Sequence, residues 1–302
     1  MPNKDHPTAF PHPCDHNKLV FIGGEMPHWA KKFVNRLERT SSSKNNVSLT
    51  FRDQPLSLDM IKDAWLWDDE GFSAVRKTVL TEDHFYKNAY SRMRVHLAVQ
   101  VLSTSVVQLI ERYVKDPLIQ AQHNGDSEKL YAPLKTLISS CDRLVDICNA
   151  NGKKECEYID SPDHFHIKEL RDILQLFHEW KESCKSKDEF ITKESYEDLC
   201  WLVYGLEGVA KEYLKQDKSR RMMQRRGGSD CCENEFASFR QANSNPTEFD
   251  LRTIEARRAA FRGHDVSSFS RIVKSNGGRE NRVDLVSLSA KLIKKRKRED
   301  TI

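Results

Sequence analysis

Glu25 follows a short apolar run, Lys18-Leu19-Val20-Phe21-Ile22, that closes on Gly23-Gly24. The β-branched and aromatic content and the glycine pair predict a buried strand ending in a tight turn. Glu25 then sits at the strand's carboxyl end, where the backbone is held and a carboxylate looks out of the sheet edge. Two or three carboxylates so placed hold a pair of Mg2+ ions about 4 Å apart for attack on a phosphodiester. A single carboxylate after a strand is commonly a solvated turn residue, so Glu25 needs partners before it carries chemistry. Other reactive types are less well placed. His12-Pro13-Cys14-Asp15-His16 offers ligating side chains, but it is broken by proline and no second pair has zinc spacing. His164 and His166 are two apart, which points them to different sides of a helix and reads as capping or surface groups. Cys231-Cys232 are adjacent and bridge only with strain, which favours a structural role. Lys294-Lys295-Arg296-Lys297-Arg298 suits nuclear import or contact with a phosphate backbone. The chain has no G-x-x-x-x-G-K-S/T phosphate loop.

The 302 residues suffice for one large domain or two medium ones. Charged residues make up 31% and apolar ones 38%, yet 14 Phe, 5 Trp and 8 Tyr can build a core, so full disorder is not expected. The best apolar run, Trp201-Leu202-Val203-Tyr204-Gly205-Leu206, is far short of a membrane span, and the N-terminus has no apolar leader region. The eight cysteines include no C-x-x-C pair and read as reduced thiols of an intracellular protein, with Cys141, Cys148 and Cys200 on apolar helix faces. Net charge is +4, but residues 251–302 carry 14 basic and 6 acidic residues, so the basic character belongs to the tail. That favours a nucleic-acid or targeting segment over a basic fold.

The elements that must position these groups are mostly helical. Residues 1–17 read as an irregular lead-in. Pro27 suits the first turn of a helix carrying Trp29, Phe33, Val34 and Leu37. Residues 41–46 are a loop. Leu58, Met60, Ile61 and Trp65 mark a short helix. Ser91 caps a continuous helix with Ala98, Leu102, Val106, Leu109 and Ile110 on one face, ending near Tyr113. The next runs from Leu130 to Cys148 at 3–4 spacing. Ser161-Pro162 reads as cap and first residue of a helix carrying Leu170, Phe177 and Trp180, and Thr192 caps another carrying Leu199, Val203 and Leu214. A last, arginine-rich helix is expected at roughly 248–262, and 263–302 reads as a mobile basic tail.

Four segments carry a resemblance. Glu25-Met26-Pro27-His28-Trp29-Ala30-Lys31-Lys32-Phe33-Val34-Asn35 resembles the D-x-P-H-h-x-K-x-x-x-N segment (h, apolar) of P-element-type transposases, the family that includes the vertebrate THAP-domain transposase. Ser91 to Val106, with Met93-Arg94-Val95, Leu97-Ala98 and Gln100-Val101-Leu102-Ser103, is similar to its K-M-R-V-x-L-A-x-Q-V-L-S-x-S-V helix. Cys141 to Asn149 is similar to its F-F-D-x-x-N helix. Ser229 to Phe236, with Asn245-Pro246-Thr247, resembles its Q-D-x-x-E-x-x-F and N-P-T segment. The four fall in the family's order over roughly three quarters of the chain.

The resemblance implies a mainly α fold with few strands: a large helical insertion within an incomplete RNase H-like catalytic domain of the DDE/D type. Residues 18–48 would be its strand-turn-helix, 49–215 the helical insertion, 216–262 the return to the catalytic domain, and 263–302 the tail. Carried over by motif, Glu25 stands where the second catalytic Asp belongs and Glu233 where the catalytic Glu belongs, both as Mg2+ ligands, with Asp230 as the substitute for Glu233. Glu for Asp moves the carboxylate about 1.5 Å from the backbone, and misplacements near 1 Å weaken such sites. The family's first Asp and its zinc-coordinating DNA-binding domain lie upstream of the matched segments, so little nuclease activity is expected of these residues alone. DNA is the implied partner, a homo-oligomer is compatible with the family, no membrane partner is implied, and the nucleus is the implied location. Arg252, Arg257, Arg258 and Arg262 would touch DNA phosphates. Some relatives bind GTP through the insertion, and nothing in this chain supports or opposes that. The alternative is a non-catalytic helical module that binds nucleic acid or protein.

Overall fold

The computed structural model describes residues 8–40, 47–70, 78–88, 91–150, 158–215, 217 and 219–228. These fall in one compact unit, Met1–Asp230, and a second unit, Cys231–Ile302, lies outside the described residues. The helix expected at 248–262 and the basic tail are therefore outside them too, as is the loop at 41–46.

Two hairpins and a set of helices make up what is described. β1 (Ala9–His12) pairs antiparallel with β2 (Asp15–Phe21), and β3 (Thr50–Phe51) pairs with β4 (Gln54–Pro55). The helices are α1 (Met26–Thr40), α2 (Leu58–Glu70), α3 (Glu82–Phe85), α4 (Val95–Val101), α5 (Thr104–Tyr113), α6 (Pro117–Gln122), α7 (Ser127–Cys148), α8 (Phe165–Ser183) and α9 (Lys193–Lys215). α1 buries Met26, Trp29, Ala30, Phe33, Val34 and Leu37, the stripe that i, i+3, i+4 spacing predicts. That stripe lets it pack against α2, α4, α7 and α9 at once. One apolar core runs from Met26 to Val203, so the 18–48 and 49–215 segments share it.

Aromatic rings form its centre. Trp29 stacks on Phe33 at 5.4 Å, and Phe177 meets both edge-on. Trp180 lies against Phe33, Phe51, Phe177 and Phe190, and its indole N–H donates to the Thr50 carbonyl at 2.6 Å. Trp180 thereby ties the β3–β4 hairpin to α8. The indole nitrogens of Trp29 and Trp65 are buried without an acceptor among the described residues.

Four expectations are corrected. Lys18–Ile22 is not a buried strand: β2 pairs with β1, and Leu19, Val20 and Ile22 are exposed. The lead-in is accordingly a hairpin from Ala9 onward. The helix expected to start at Ser91 begins at Val95 and is broken at Leu102-Ser103. Ser91 instead closes a turn, its backbone N–H donating to Asn88 Oδ1 and its Oγ accepting from the Asn88 N–H, both at 2.8 Å. Ser103 Oγ donates back to the Gln100 carbonyl at 2.7 Å, the local competition by which serine interrupts a helix. Finally, α8 is capped by His164, whose Nδ1 accepts from the His166 N–H at 3.2 Å, and not by Ser161. This cap folds the two rings together, with centroids 4.7 Å apart, so they do not diverge as helical residues two apart would. Thr192 does cap α9, its Oγ1 accepting from the Ser195 N–H at 3.2 Å.

His84 gives the fold a pH dependence. It is buried, Thr81 N–H donates to its Nδ1, and its Nε2–H faces Gln100 Oε1, each at 2.9 Å. The neutral Nε2–H tautomer satisfies both bonds, whereas a proton on Nδ1 would oppose the Thr81 N–H. Burial holds its pKa below the ordinary 6.5. A depressed folded value means that the unfolded chain binds the proton first as pH falls. The stabilisation is complete above about 6.5 and is lost from there downward through the folded value. Thermal melts from about pH 7.5 to pH 5 should therefore shift to lower temperature, and His84→Gln should flatten that shift while lowering stability near neutrality.

Candidate functional site

The turn that carries Glu25 is pressed onto α9. A Cβ on Gly24 would lie 2.2 Å from the Asp198 carbonyl oxygen and 2.8 Å from the Leu202 nitrogen. A Cβ on Gly205 would lie 2.5 Å from the Ile22 oxygen and 2.8 Å from Gly23 Cα. One turn farther, Gly208 leaves room for the Phe21 ring. Strand end, turn and helix thus meet backbone to backbone, and only glycine at positions 24 and 205 allows it. The outward faces of Leu19, Val20 and Ile22 remain exposed while Phe21 seats against α9.

Glu25 starts α1 from this platform. Its carbonyl accepts the Trp29 N–H at 3.0 Å, and Pro27, two residues on, lacks an N–H at a position with no helical acceptor. Its carboxylate is partly exposed and lies 3.0 Å from His28 Nε2. Lys32, on the next turn, pairs with Asp198 of α9. The surface beside Glu25 therefore carries two carboxylates, Glu25 and Asp198, each with a basic partner. Among the described residues no group of three or more His, Cys, Asp or Glu could hold a metal ion. A hard divalent cation takes oxygen donors, and Glu25 supplies one at a fixed turn. Glu233, Asp230, the arginines 252, 257, 258 and 262, the basic run 294–298 and Cys231-Cys232 lie outside the described residues. His12, Cys14, Asp15 and His16 sit about the β1–β2 turn, where the Cys14 N–H donates to His12 Nδ1 at 3.2 Å.

The middle segments singled out in the sequence are structural seams. Arg92 pairs with Glu38 of α1 at 2.9 Å, as does Lys87 at 3.2 Å, with the Lys87 side chain almost wholly buried. Arg94 lies 3.5 Å from Asp83, and Gln100 holds His84. Leu97, Ala98, Val101 and Leu102 fill the core. Farther on, Asp142 accepts the Thr104 hydroxyl, Arg143 reaches Glu169 at 2.6 Å, and Cys141 and Leu144 are buried. Burial pushes the Cys148 thiol up to about 12 and the Cys200 thiol up to about 11, and raises Cys141 as well. These thiols stay protonated near neutral pH and are core residues, not nucleophiles.

The glycine contacts were missed in the sequence reading, although a signal was present. Gly205 and Gly208 lie three apart inside an apolar helix, where each costs about 1 kcal/mol of propensity relative to alanine and so calls for a packing reason.

Neither the family models nor the curated proteins include a match to this sequence. Among solved structures, the Drosophila P element transposase strand transfer complex matches 82% of the chain with a TM-score of 0.63 at 19% identity. The chain has a P-element-transposase-like fold. It spans about half, 53%, of the chain it matches. Within that P-element-like fold, the Glu25 segment and the Ser91–Val106 segment are adjacent in space: α1 packs on α4, and Arg92 reaches Glu38 farther along α1. The described residues are mainly helical with few, short strands, and no described helix is long and apolar enough to cross a membrane.

Proposed function

We propose that the chain is a transposase-derived, DNA-binding protein of the P-element type. The observation that carries this reading is the fold, shared over 82% of the chain with a P element transposase solved as a strand transfer complex. The order of the four sequence segments supports it independently. Glu25 stands where the family's second catalytic Asp belongs and Glu233 where its catalytic Glu belongs, with Asp230 as the substitute. The two acids would bind Mg2+, which supplies Lewis-acid activation of water or a 3′-hydroxyl at a phosphodiester. Glu25 holds its carboxylate at the α9 platform, and His28 steadies it. These 302 residues supply two acids where the family uses three, so by themselves they bind DNA without cutting it. The basic run Lys294–Arg298 serves nuclear import, and Arg252, Arg257, Arg258 and Arg262 add phosphate contacts.

The test is fluorescence anisotropy with a labelled duplex, together with a plasmid-nicking assay in Mg2+. The expected result is salt-dependent binding with no nicking above a protein-free control. Absence of binding even at low salt would leave only a helical protein-binding module.

A further inference from the structure

We infer that the segment Ser219–Gly228, with the last turns of α9, forms a phosphate-binding surface for duplex DNA. This rests on the DNA-binding reading above and gives it a location apart from the arginines of 252–262 and the run at 294–298.

Three anchors hold the segment against the ends of α7, α8 and α9. Met222 and Ile159 exchange backbone hydrogen bonds at 2.8 and 3.1 Å. The Met222 side chain is buried in a small cluster with Ile159, Ile167, Ala210 and Leu214. Gln224 meets His166 Nδ1 at 3.3 Å, and the Arg225 N–H donates to the Ala150 carbonyl at 3.4 Å. Exposure then alternates along the segment: Arg221 out, Met222 in, Met223 half-buried, Gln224 in, Arg225 out. The buried positions fix the backbone, so the arginines are presented at little further cost in ordering. Beside them, the Arg220 guanidinium lies 5.0 Å over the ring of the exposed Tyr213, and Lys215 is exposed on the last turn of α9.

Charge makes the surface distinctive. Residues 211–228 contain seven basic and two acidic residues, whereas the rest of 1–250 contains 28 basic and 37 acidic. A positive segment on a negative body focuses polyanion approach to one place. Its two acids lie among these residues. Asp217 accepts from both the N–H and the hydroxyl of Ser219 at 2.8 Å, and Glu212 lies 4.0 Å from Lys215. The pattern suits contact with a phosphate backbone, which selects for charge and not for sequence.

The experiment uses the full chain with Arg221→Ala and Arg225→Ala together, and separately with residues 294–298 replaced by alanine. Anisotropy on a duplex of about 20 base pairs is followed across salt concentration. The double variant should lose about two from the slope of log affinity against log salt and bind about tenfold or more weakly near 0.1 M salt. The tail variant should lose affinity independently of it. If the double variant melts lower than the parent, Lys215→Gln reads the same surface and should lose about one from the slope. Parent-like slopes in these variants would overturn the surface while leaving DNA binding intact. A parent that fails to bind duplex at low salt would instead overturn the reading on which the surface rests.

Discussion

Gly205→Ala should destabilise the protein by about 2 kcal/mol or more, although alanine is the better helix former by about 1 kcal/mol. The added methyl would sit 2.5 Å from the Ile22 oxygen and 2.8 Å from Gly23 Cα. Both are backbone atoms, so no side chain can rotate away, and the strand end must lift from α9. Gly24→Ala should behave alike, because its methyl would meet the Asp198 carbonyl at 2.2 Å. Gly23→Ala is the control: nothing lies within 4 Å of its Cβ position, so a change of less than about 0.5 kcal/mol is expected. Chemical denaturation of the three variants checks the contrast. Equal losses at all three positions would show that the turn is not seated on α9. The consequence reaches the proposed site, since lifting the turn also moves Glu25 away from its fixed position.

Trp180→Ala should cost about 3–5 kcal/mol, in the range for deleting a fully buried aromatic. The ring is at the centre of the aromatic cluster and its N–H bonds the Thr50 carbonyl. A finer comparison separates packing from hydrogen bonding. Trp180→Phe and Trp29→Phe remove similar volumes from the same cluster. The first leaves the Thr50 carbonyl without its indole donor, whereas the second removes a buried N–H that has no acceptor among the described residues. An unmade buried hydrogen bond costs about 1–3 kcal/mol, so Trp180→Phe should be the more damaging by about that amount. Melting or denaturant midpoints decide it, and the reverse order would contradict the assigned Thr50 contact.

The helices were legible because their apolar residues recur at 3–4 spacing: Trp29 to Leu37, Leu134 to Val145 and Leu199 to Leu214 all lie on buried faces. Boundaries were less so. Ser161-Pro162 looks like a cap and first residue, but His164 takes the cap with a ring nitrogen, which residue type alone does not announce. Ser91 and Ser103 both have capping chemistry, and which turn each closes depends on Asn88 and Gln100. The Leu19-Val20-Phe21 run reads as buried because hydrophobicity reports a preference for burial and not whether a partner covers the second face. Glu25 was legible as the residue after a strand and turn, but the strand it follows is an exposed hairpin strand and not a buried one. Its pairing with His28 is local, but the seating of its turn on α9, Gly24 against Asp198 and Gly23 against Gly205, joins residues 174 and 182 apart in sequence.

The most direct test of the transposase-derived reading is Mn2+ binding followed by water-proton relaxation, with Mn2+ standing for Mg2+. Parent chain, Glu25→Gln and Glu233→Gln would be compared, each with and without a short DNA duplex. The reading predicts that the parent binds Mn2+ and that each single substitution weakens binding by about tenfold or more. Binding that is indifferent to both Glu25 and Glu233 would contradict their role as metal ligands and leave the transposase-like fold as all that supports the reading.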